Sequence, residues 1–378
     1  MPATRINAGS PQAANWKVMK EWRTNIERGV TGKPLSKRMP FGELVIEKPS
    51  VSRREGKLTI QGGPHFRLAT PYIYESRSAD ERTGKLKRLA MTKLSILTWT
   101  SKMSCASFSL PAGVPGLAHG TCAAASKPAV MKDGSYLDYH ASVADLKPLK
   151  YVCEICYAAK GNYQMWPSVS VGQLGRMYWL QYALFDGSFV RDMTESILSL
   201  FAPPHGRQRV SARAVMARMN IEPDYFRIHD SGDFFDTTRS PLFKDRPGVT
   251  GFEYYDAWVE IATALHFVKF WAPTRMWVFK EWADHFRKNP PPSNMSLRPS
   301  TLIVNQTIED FAVPYMDAAT SVYPMETDPA KLRKQKVYNC PAYKTDGKTC
   351  IEGTGPGGEA GCRACWAYKD LKVNYSEH

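Results

Sequence analysis

The sequence lacks any run of about 18 consecutive apolar residues, the length a helix needs to cross a bilayer, so no membrane span is expected. Its opening, MPATRINAGSPQAANWK, also lacks the apolar core of a secretory signal and reads as a cytoplasmic start. Several catalytic signatures are missing too. There is no GxxxxGK[ST] phosphate loop, no GxSxG elbow and no HExxH pair. Kinase, P-loop ATPase, α/β-hydrolase and zincin chemistry therefore have no motif to rest on. No repeat of fixed period occurs either.

Acidic residues are in short supply: 36 Asp and Glu stand against 50 Lys and Arg, for a formal net charge of +14. Residues 1–100 hold 19 of the basic and 8 of the acidic residues, so most of the excess lies in the first quarter. A concentrated basic excess fits a polyanion, because neutralising phosphates releases condensed counterions. Nucleic acid, in the form of DNA, is the expected partner. A basic surface that serves solubility alone is the plainer alternative.

What is present in quantity is apolar and aromatic residue: 43% hydrophobic over 378 residues is ample for a large core. Residues 1–94 read as a basic arm and irregular region, with a helix around Trp16–Arg28 and turn-rich stretches at Ser50–Lys57 and at 62–64. Residues 86–100 have strand composition. Residues 95–325 alternate in pattern. Val169–Leu200 is helix-compatible, broken by Asp186-Gly187; Tyr225–His229, Phe267–Trp271 and Ser300–Asn305 read as strands; Tyr254–Leu265 and Val278–Arg287 read as helices. Such alternation predicts an α/β fold with a parallel sheet, as an open sheet or a full or partial (β/α) barrel. Residues 288–293 form a loop within it. Residues 326–378 form a polar, cysteine-rich C-terminal module.

The eight cysteines fall in two groups, each with a Cys-x-x-Cys pair. Such clustering in a large chain without a secretory signal points to metal ligands rather than disulfides. Cys105, Cys122, Cys153 and Cys156 form the first group, able to hold a [4Fe–4S] cluster or zinc. A closed structural zinc site is the bland reading; an active cluster would leave one of the four unbound, and Cys122 is a candidate. Cys340, Cys350, Cys362 and Cys365 form the second, for zinc or an auxiliary [4Fe–4S] cluster. The short module around them has little apolar mass of its own, so a metal is expected to supply its folding energy.

The segment FRIHDSGDFFD (226–236) places His229, Asp230, Ser231, Gly232 and Asp233 at the end of a strand. Ligands bind at the carboxyl edge of parallel sheets. The next strand ends in Thr274 and Arg275. His229, Asp230 and Asp233 are the candidate catalytic residues, the carboxylates as proton carriers or sugar ligands. The alternative is local: capping of the next element, with Arg275 paired to Asp233.

Several of these pieces together resemble a phage protein family of the mycobacteriophage gene-eighty-eight type. They are SFSLPAG (107–113), CEICYAAKGNY (153–163), RIHDSGDFF (227–235), FWAPTR (270–275) and CRACW (362–366), and the likeness covers about 95–368. More broadly, Cys153, Cys156, Tyr157 and Ala158 are similar to the Cys-x-x-Cys-Tyr-Ala of radical-SAM-like proteins. That resemblance implies a partial barrel and a [4Fe–4S] cluster on three cysteines. It also implies S-adenosylmethionine as cofactor, an electron donor as partner, and a pocket lined by Tyr157, Ser231, Gly232, Asp233, Thr274 and Arg275. The usual Cys-x₃-Cys-x₂-Cys is absent: Leu149 stands where its first cysteine would be, so Cys105 or Cys122 would have to replace it from a distant loop. The expected function is radical modification of a base in phage DNA. Asp230-Ser231-Gly232-Asp233 also resembles the AspSerGlyGly of tRNA-guanine transglycosylases, which implies base exchange beside a structural zinc. A zinc-stabilised nucleic-acid-binding protein without turnover is the third expectation.

Overall fold

The computed structural model describes strands within 50–93, most of 96–112, Thr121 and Cys122, 152–159, parts of 169–201, 222–234, 250–302, and much of 317–376. The helix expected around Trp16–Arg28 lies outside these residues. Two antiparallel hairpins come first: β1 (Ser50–Arg54) with β2 (Lys57–Gln61), and β3 (Ile73–Ala79) with β4 (Leu86–Lys93). Ser50–Lys57, expected as turn, is thus mostly strand; the alternation of polar and apolar residues in KLTIQ suits a ladder.

The central sheet has five strands in the order β5 (Thr98–Trp99), β6 (Ala106–Phe108), β7 (Tyr225–Ile228), β8 (Lys269–Thr274) and β9 (Met295–Pro299). β5 runs antiparallel to β6, and the remaining neighbours are parallel. A second sheet, all parallel, has the order β10 (Thr320–Tyr323), β12 (Lys372–Ser376), β11 (Val337–Asn339). One bridge, Ser300 to Thr320, links the two. The fold is therefore mixed α/β with parallel-rich sheets.

Strand geometry sends alternate side chains to opposite faces. In register across the central sheet, Ala106, Phe226, Phe270 and Met295 share one row, and Ser107, Arg227, Trp271 and Ser296 the next. The first row, with Phe108, Ile228, Ala272 and Leu297, is buried in the main core. Helices α1 (Phe189–Leu198) and α2 (Gly251–Ala264) contribute Phe189, Tyr254, Trp258 and Ile261 to that core. Tyr254, Trp258 and Ile261 recur at helical spacing, which gives α2 its apolar stripe. Thr250 and Glu253 form a capping box that starts α2. Helix α3 (Lys280–Lys288) buries Trp282 and Phe286, four apart, and carries His285, Arg287 and Lys288 in its last turn, where cations favour the helix dipole.

The opposite face of the sheet is covered by the C-terminal region, which includes the short helices α4 (Pro329–Lys334) and α5 (Ala364–Ala367). Met103, Cys105, Trp271, Cys340, Cys362, Cys365, Trp366 and Val373 form one buried cluster there. Trp366 donates its indole N–H to the carbonyl of Phe226 at 3.0 Å. Arg298, wholly buried, donates to the carbonyls of Cys365, Leu371 and Ala364 at 3.0, 2.7 and 3.1 Å, and also to that of Tyr368. Those carbonyls belong to α5 and the turn after it; Ala364 and Tyr368 also accept backbone N–H bonds there, so the guanidinium caps the end of the helix from below.

The strand expected at Ser300–Asn305 lies earlier, at Met295–Pro299. Polar Ser296 and Arg298 are strand residues because they face the C-terminal region rather than water. No described helix is long and apolar enough to cross a membrane.

Candidate functional site

The carboxyl ends of β6, β7 and β8 converge. Past β7 the chain turns sharply: His229 has φ +62° and Gly232 φ +88°. Ser231 is tied to the end of β6, its hydroxyl donating to the Leu110 carbonyl at 2.8 Å and its own carbonyl accepting from Leu110 N–H at 2.9 Å. Gly232 leaves no room for a side chain, since a Cβ would lie 2.6 Å from Thr121 Oγ1 and 2.7 Å from Leu110 Cβ. The close approach expected at Gly232 is thus made by the chain's own loop.

Thr121 fastens the residue before Cys122. Its hydroxyl donates to the Pro111 carbonyl at 3.0 Å and accepts from Asp233 N–H at 3.1 Å. Asp233 in turn joins β7 to β8. Oδ1 accepts from the Thr274 hydroxyl at 2.6 Å and from Phe234 N–H at 2.8 Å, and Oδ2 accepts from Arg275 N–H at 2.8 Å. Burial pushes the Asp233 carboxyl up to about 6, against the pull of those hydrogen bonds. Arg275 meets Asp233 through its backbone, while its Nε donates to the Thr301 carbonyl at 3.0 Å.

Burial works against the Arg275 charge, yet Cys153, Cys156 and Cys122, followed by Asp233, together hold it up. The thiols of Cys153, Cys156 and Cys122 are thus within electrostatic reach of one guanidinium at the carboxyl edge. Cys153 and Cys156 lie on and just after a short 3₁₀ turn, Val152–Ile155, and Tyr157 opens the next. Tyr157 is 41% exposed, yet its hydroxyl donates to the Asp230 carbonyl and accepts from Arg227 Nη2 at 3.1 Å.

Cys105, grouped by sequence with these three, is placed elsewhere. It precedes Ala106, so strand alternation turns it to the opposite face of the sheet, in the cluster with Cys340, Cys362 and Cys365. Burial raises its thiol well above the ordinary value, with Cys350 next in effect and Arg227 and Arg363 opposing. The other four form a quartet. Cys340 is raised by burial and then by Cys365, Cys350 and Cys362; Cys350 is pushed up to about 12 by burial and then by Cys365 and Cys362. Tyrosines reach two of them: Cys365 Sγ lies 2.9 Å from Tyr375 Oη, and Tyr338 Oη donates to Cys362 Sγ at 3.7 Å.

The eight thiols thus divide into three at the strand ends and five on the opposite face, where Cys105 lies beside the quartet. Among the described residues, no group of three or more His, Cys, Asp or Glu side chains is arranged, as it stands, to hold a metal ion. The donor chemistry nonetheless fits a soft metal centre: all eight cysteines are free thiols, and a thiol whose proton burial holds on, as at Cys340, gives it up to a soft metal.

His229 does not belong with the other polar strand-end residues. It is 1% exposed and packed against Phe234 and Tyr254, with Nε2 at 2.8 Å from Tyr254 Oη. Burial lowers it to about 3, so it stays neutral in the aromatic core. Asp230 is buried beside it.

Sequence reasoning missed Arg227, Thr121 and Arg298. Arg227 stacks 4.5 Å over the Trp271 ring, donates from Nε to the His229 carbonyl at 2.9 Å, and directs Nη1 at Met103 Sδ at 3.2 Å. The available signal was a lone charge between apolar Phe226 and Ile228 in mid-strand.

These features define a mixed α/β protein whose strand ends and free thiols make up its candidate site. The chain belongs to the Gene product 88 family of phage proteins, whose profile matches residues 75–368. The match begins at β3, inside the region expected to be an arm outside the family. No curated protein and no solved structure matches the chain.

Proposed function

We propose that the chain is a radical-SAM-like iron–sulfur enzyme that modifies a base in phage DNA. Closure of its parallel strands into a partial barrel belongs to the same proposal. The observation that carries it is that three thiols, those of Cys122, Cys153 and Cys156, act on Arg275 at the strand ends, while Cys105 is buried in the cluster on the opposite face of the sheet. A closed structural site takes four protein ligands, whereas an active metal keeps a position open. Cys122, Cys153 and Cys156 would hold the cluster, which supplies one-electron chemistry to bound S-adenosylmethionine given an electron donor.

The chain's own residues have separate tasks in this reading. Asp233 and Thr274 lock the ends of β7 and β8, fixing Arg275 and, through Thr121, the approach to Cys122. Arg275 offsets the negative charge that three thiolates would bring. Tyr157 keeps its ring exposed while its hydroxyl is pinned, which suits contact with a planar ligand. The basic excess of the first hundred residues serves the polyanion. The quartet Cys340, Cys350, Cys362 and Cys365 suits zinc or an auxiliary cluster.

Base exchange through an aspartate is less well supported, because both Asp233 oxygens are already engaged by protein donors. A zinc protein without turnover draws on the four-thiol quartet, three of whose members are buried. The test is anaerobic purification with iron, sulfide and zinc quantified, followed by assay of S-adenosylmethionine cleavage under reduction. About four or eight irons per chain with matching sulfide, and cleavage, support the proposal. Zinc alone in a colourless protein overturns it and leaves the binding reading.

A further inference from the structure

The two thiol sets lie on either side of one arginine. From the quartet, Cys365 is followed by Trp366, and its sulfur lies 2.9 Å from Tyr375 Oη. Trp366 and Tyr375 both pack on Trp271, the first edge-on at 5.2 Å between centroids and the second stacked at 6.2 Å. Trp271 carries the Arg227 guanidinium at 4.5 Å. Arg227 Nη2 donates to Tyr157 Oη at 3.1 Å, and Tyr157 adjoins Cys156 in the chain. The contacts run unbroken from Cys365 to the segment that bears Cys153 and Cys156.

We propose that Arg227 is a positioning residue that couples the two sets: a metal on the quartet fixes Trp271 and Arg227, and Arg227 holds Tyr157 and the Cys153–Cys156 turn in place. The inference rests on the reading of the quartet as a metal site, and is indifferent to whether that metal is zinc or iron. Its physical basis is the number of constraints on one side chain. A guanidinium offers five donors in a rigid fork and a flat face for stacking, so it can be held by one partner and hold another at once. Here the stack faces Trp271, Nε is taken by the His229 carbonyl, and the two Nη groups reach Met103 and Tyr157. A loosened quartet frees the tryptophan platform, and the arginine loses the surface that orients its fork.

Contact alone does not demonstrate coupling, so the test is a double-mutant cycle. In the full-length protein, purified anaerobically, iodoacetamide labelling rates of Cys153 and Cys156 are followed by peptide mass spectrometry, with metal content measured alongside. Cys362→Ser, which breaks the quartet without touching the contact chain, is expected to raise those rates about tenfold, within the roughly 5- to 150-fold range of coupled sites. Arg227→Met is expected to raise them to a similar extent, and the double variant no further. Tyr157→Phe, which keeps the ring and loses the hydroxyl's links to both Arg227 and the Asp230 carbonyl, is expected to raise them at least as much as Arg227→Met. It guards against misfolding as the explanation, with unchanged thermal melting as the control. Arg227→Lys, which keeps the charge without the fork, should fall between.

Unchanged labelling in Cys362→Ser, or effects of the two changes that multiply, overturns the coupling. A quartet that carries no metal in the unaltered protein overturns it as well. Iron content and S-adenosylmethionine cleavage test the proposed function separately, so either idea can fail alone.

Discussion

The Thr274 hydroxyl donates to Asp233 Oδ1 at 2.6 Å, joining the carboxyl ends of two neighbouring parallel strands. The carboxyl is buried, and burial holds it up at about 6 against an ordinary 3.8. Between those values the folded chain binds a proton that the unfolded chain has lost. Asp233 therefore contributes stability that is full below about pH 4 and gone above about pH 6. With about 1.4 kcal/mol per unit, the loss amounts to about 3 kcal/mol. Asp233→Asn cannot titrate. Denaturant unfolding at several pH values should show the unaltered protein losing about that much relative to Asp233→Asn between pH 4 and 6.5, with no further change above. A difference that is flat with pH would mean that the three donors keep the carboxylate ionised throughout.

Gly232 gives a second prediction, since it has two reasons to be glycine. Its φ of +88° disfavours any L side chain, and a Cβ would strike Thr121 and Leu110. Gly232→Ala should cost about 2 kcal/mol or more, by strain and by overpacking. Because Thr121 precedes Cys122, the displaced loop should also lower metal retention at the three-thiol set while sparing the quartet. Metal analysis of the purified variant, set against its unfolding midpoint, separates the two effects. Full metal content at lowered stability would mean that the loop yields without moving Cys122.

Much of this arrangement was legible in the chain, and what was not has a common cause. β7, β8, α2 and α3 announce themselves by apolar spacing, and the polar run after β7 does lie at a carboxyl edge. β9 was misplaced because Arg298 and Ser296 look like surface residues until a second layer is known to cover them. Cys105 was grouped by proximity in sequence, whereas the side of the sheet it faces depends on a period of two that only the register fixes. Arg227 was passed over for the same reason. His229 looked chemical because it stands next to Asp230, yet its positive φ accompanies a ring buried in the aromatic core. The polar residues are legible in the chain, but the layer each one serves is fixed only by the register.

His229 supplies a prediction with the opposite sign in pH. Burial lowers it to about 3 from 6.5, so the unfolded chain takes up a proton between those values and the folded chain does not. Its contribution is present above about pH 6.5 and is lost as pH falls towards 3, by up to roughly 5 kcal/mol. His229→Gln can keep a hydrogen bond to Tyr254 without titrating. It should flatten the acid side of the stability curve in melting experiments between pH 4 and 7. Tyr254→Phe should leave the imidazole short of its Nε2 partner and cost about 1–3 kcal/mol at neutral pH. An acid limb of equal slope in the unaltered protein and in His229→Gln would show that other groups drive acid unfolding.

The last prediction concerns how the C-terminal region is held. Its own separate cluster is small, Tyr323, Leu332 and Val337, and Arg298 of β9 ties the region to the sheet from beneath, with donors to carbonyls of Ala364, Cys365, Tyr368 and Leu371. Glu222 adds a two-pronged pair with Arg363, one prong at 2.7 Å. The partly exposed pair is worth little by itself. Arg298 is different: it is wholly buried and charged, and its removal takes a donor from four carbonyls at once. Arg298→Met should cost about 3–5 kcal/mol, whereas Arg363→Gln should cost about 1 kcal/mol or less. Limited proteolysis should then cut Arg298→Met first between residues 340 and 376, with the central sheet still intact. If the C-terminal region instead resists proteolysis in Arg298→Met, and loses that resistance only on chelation, a metal on the quartet rather than the arginine holds it to the sheet.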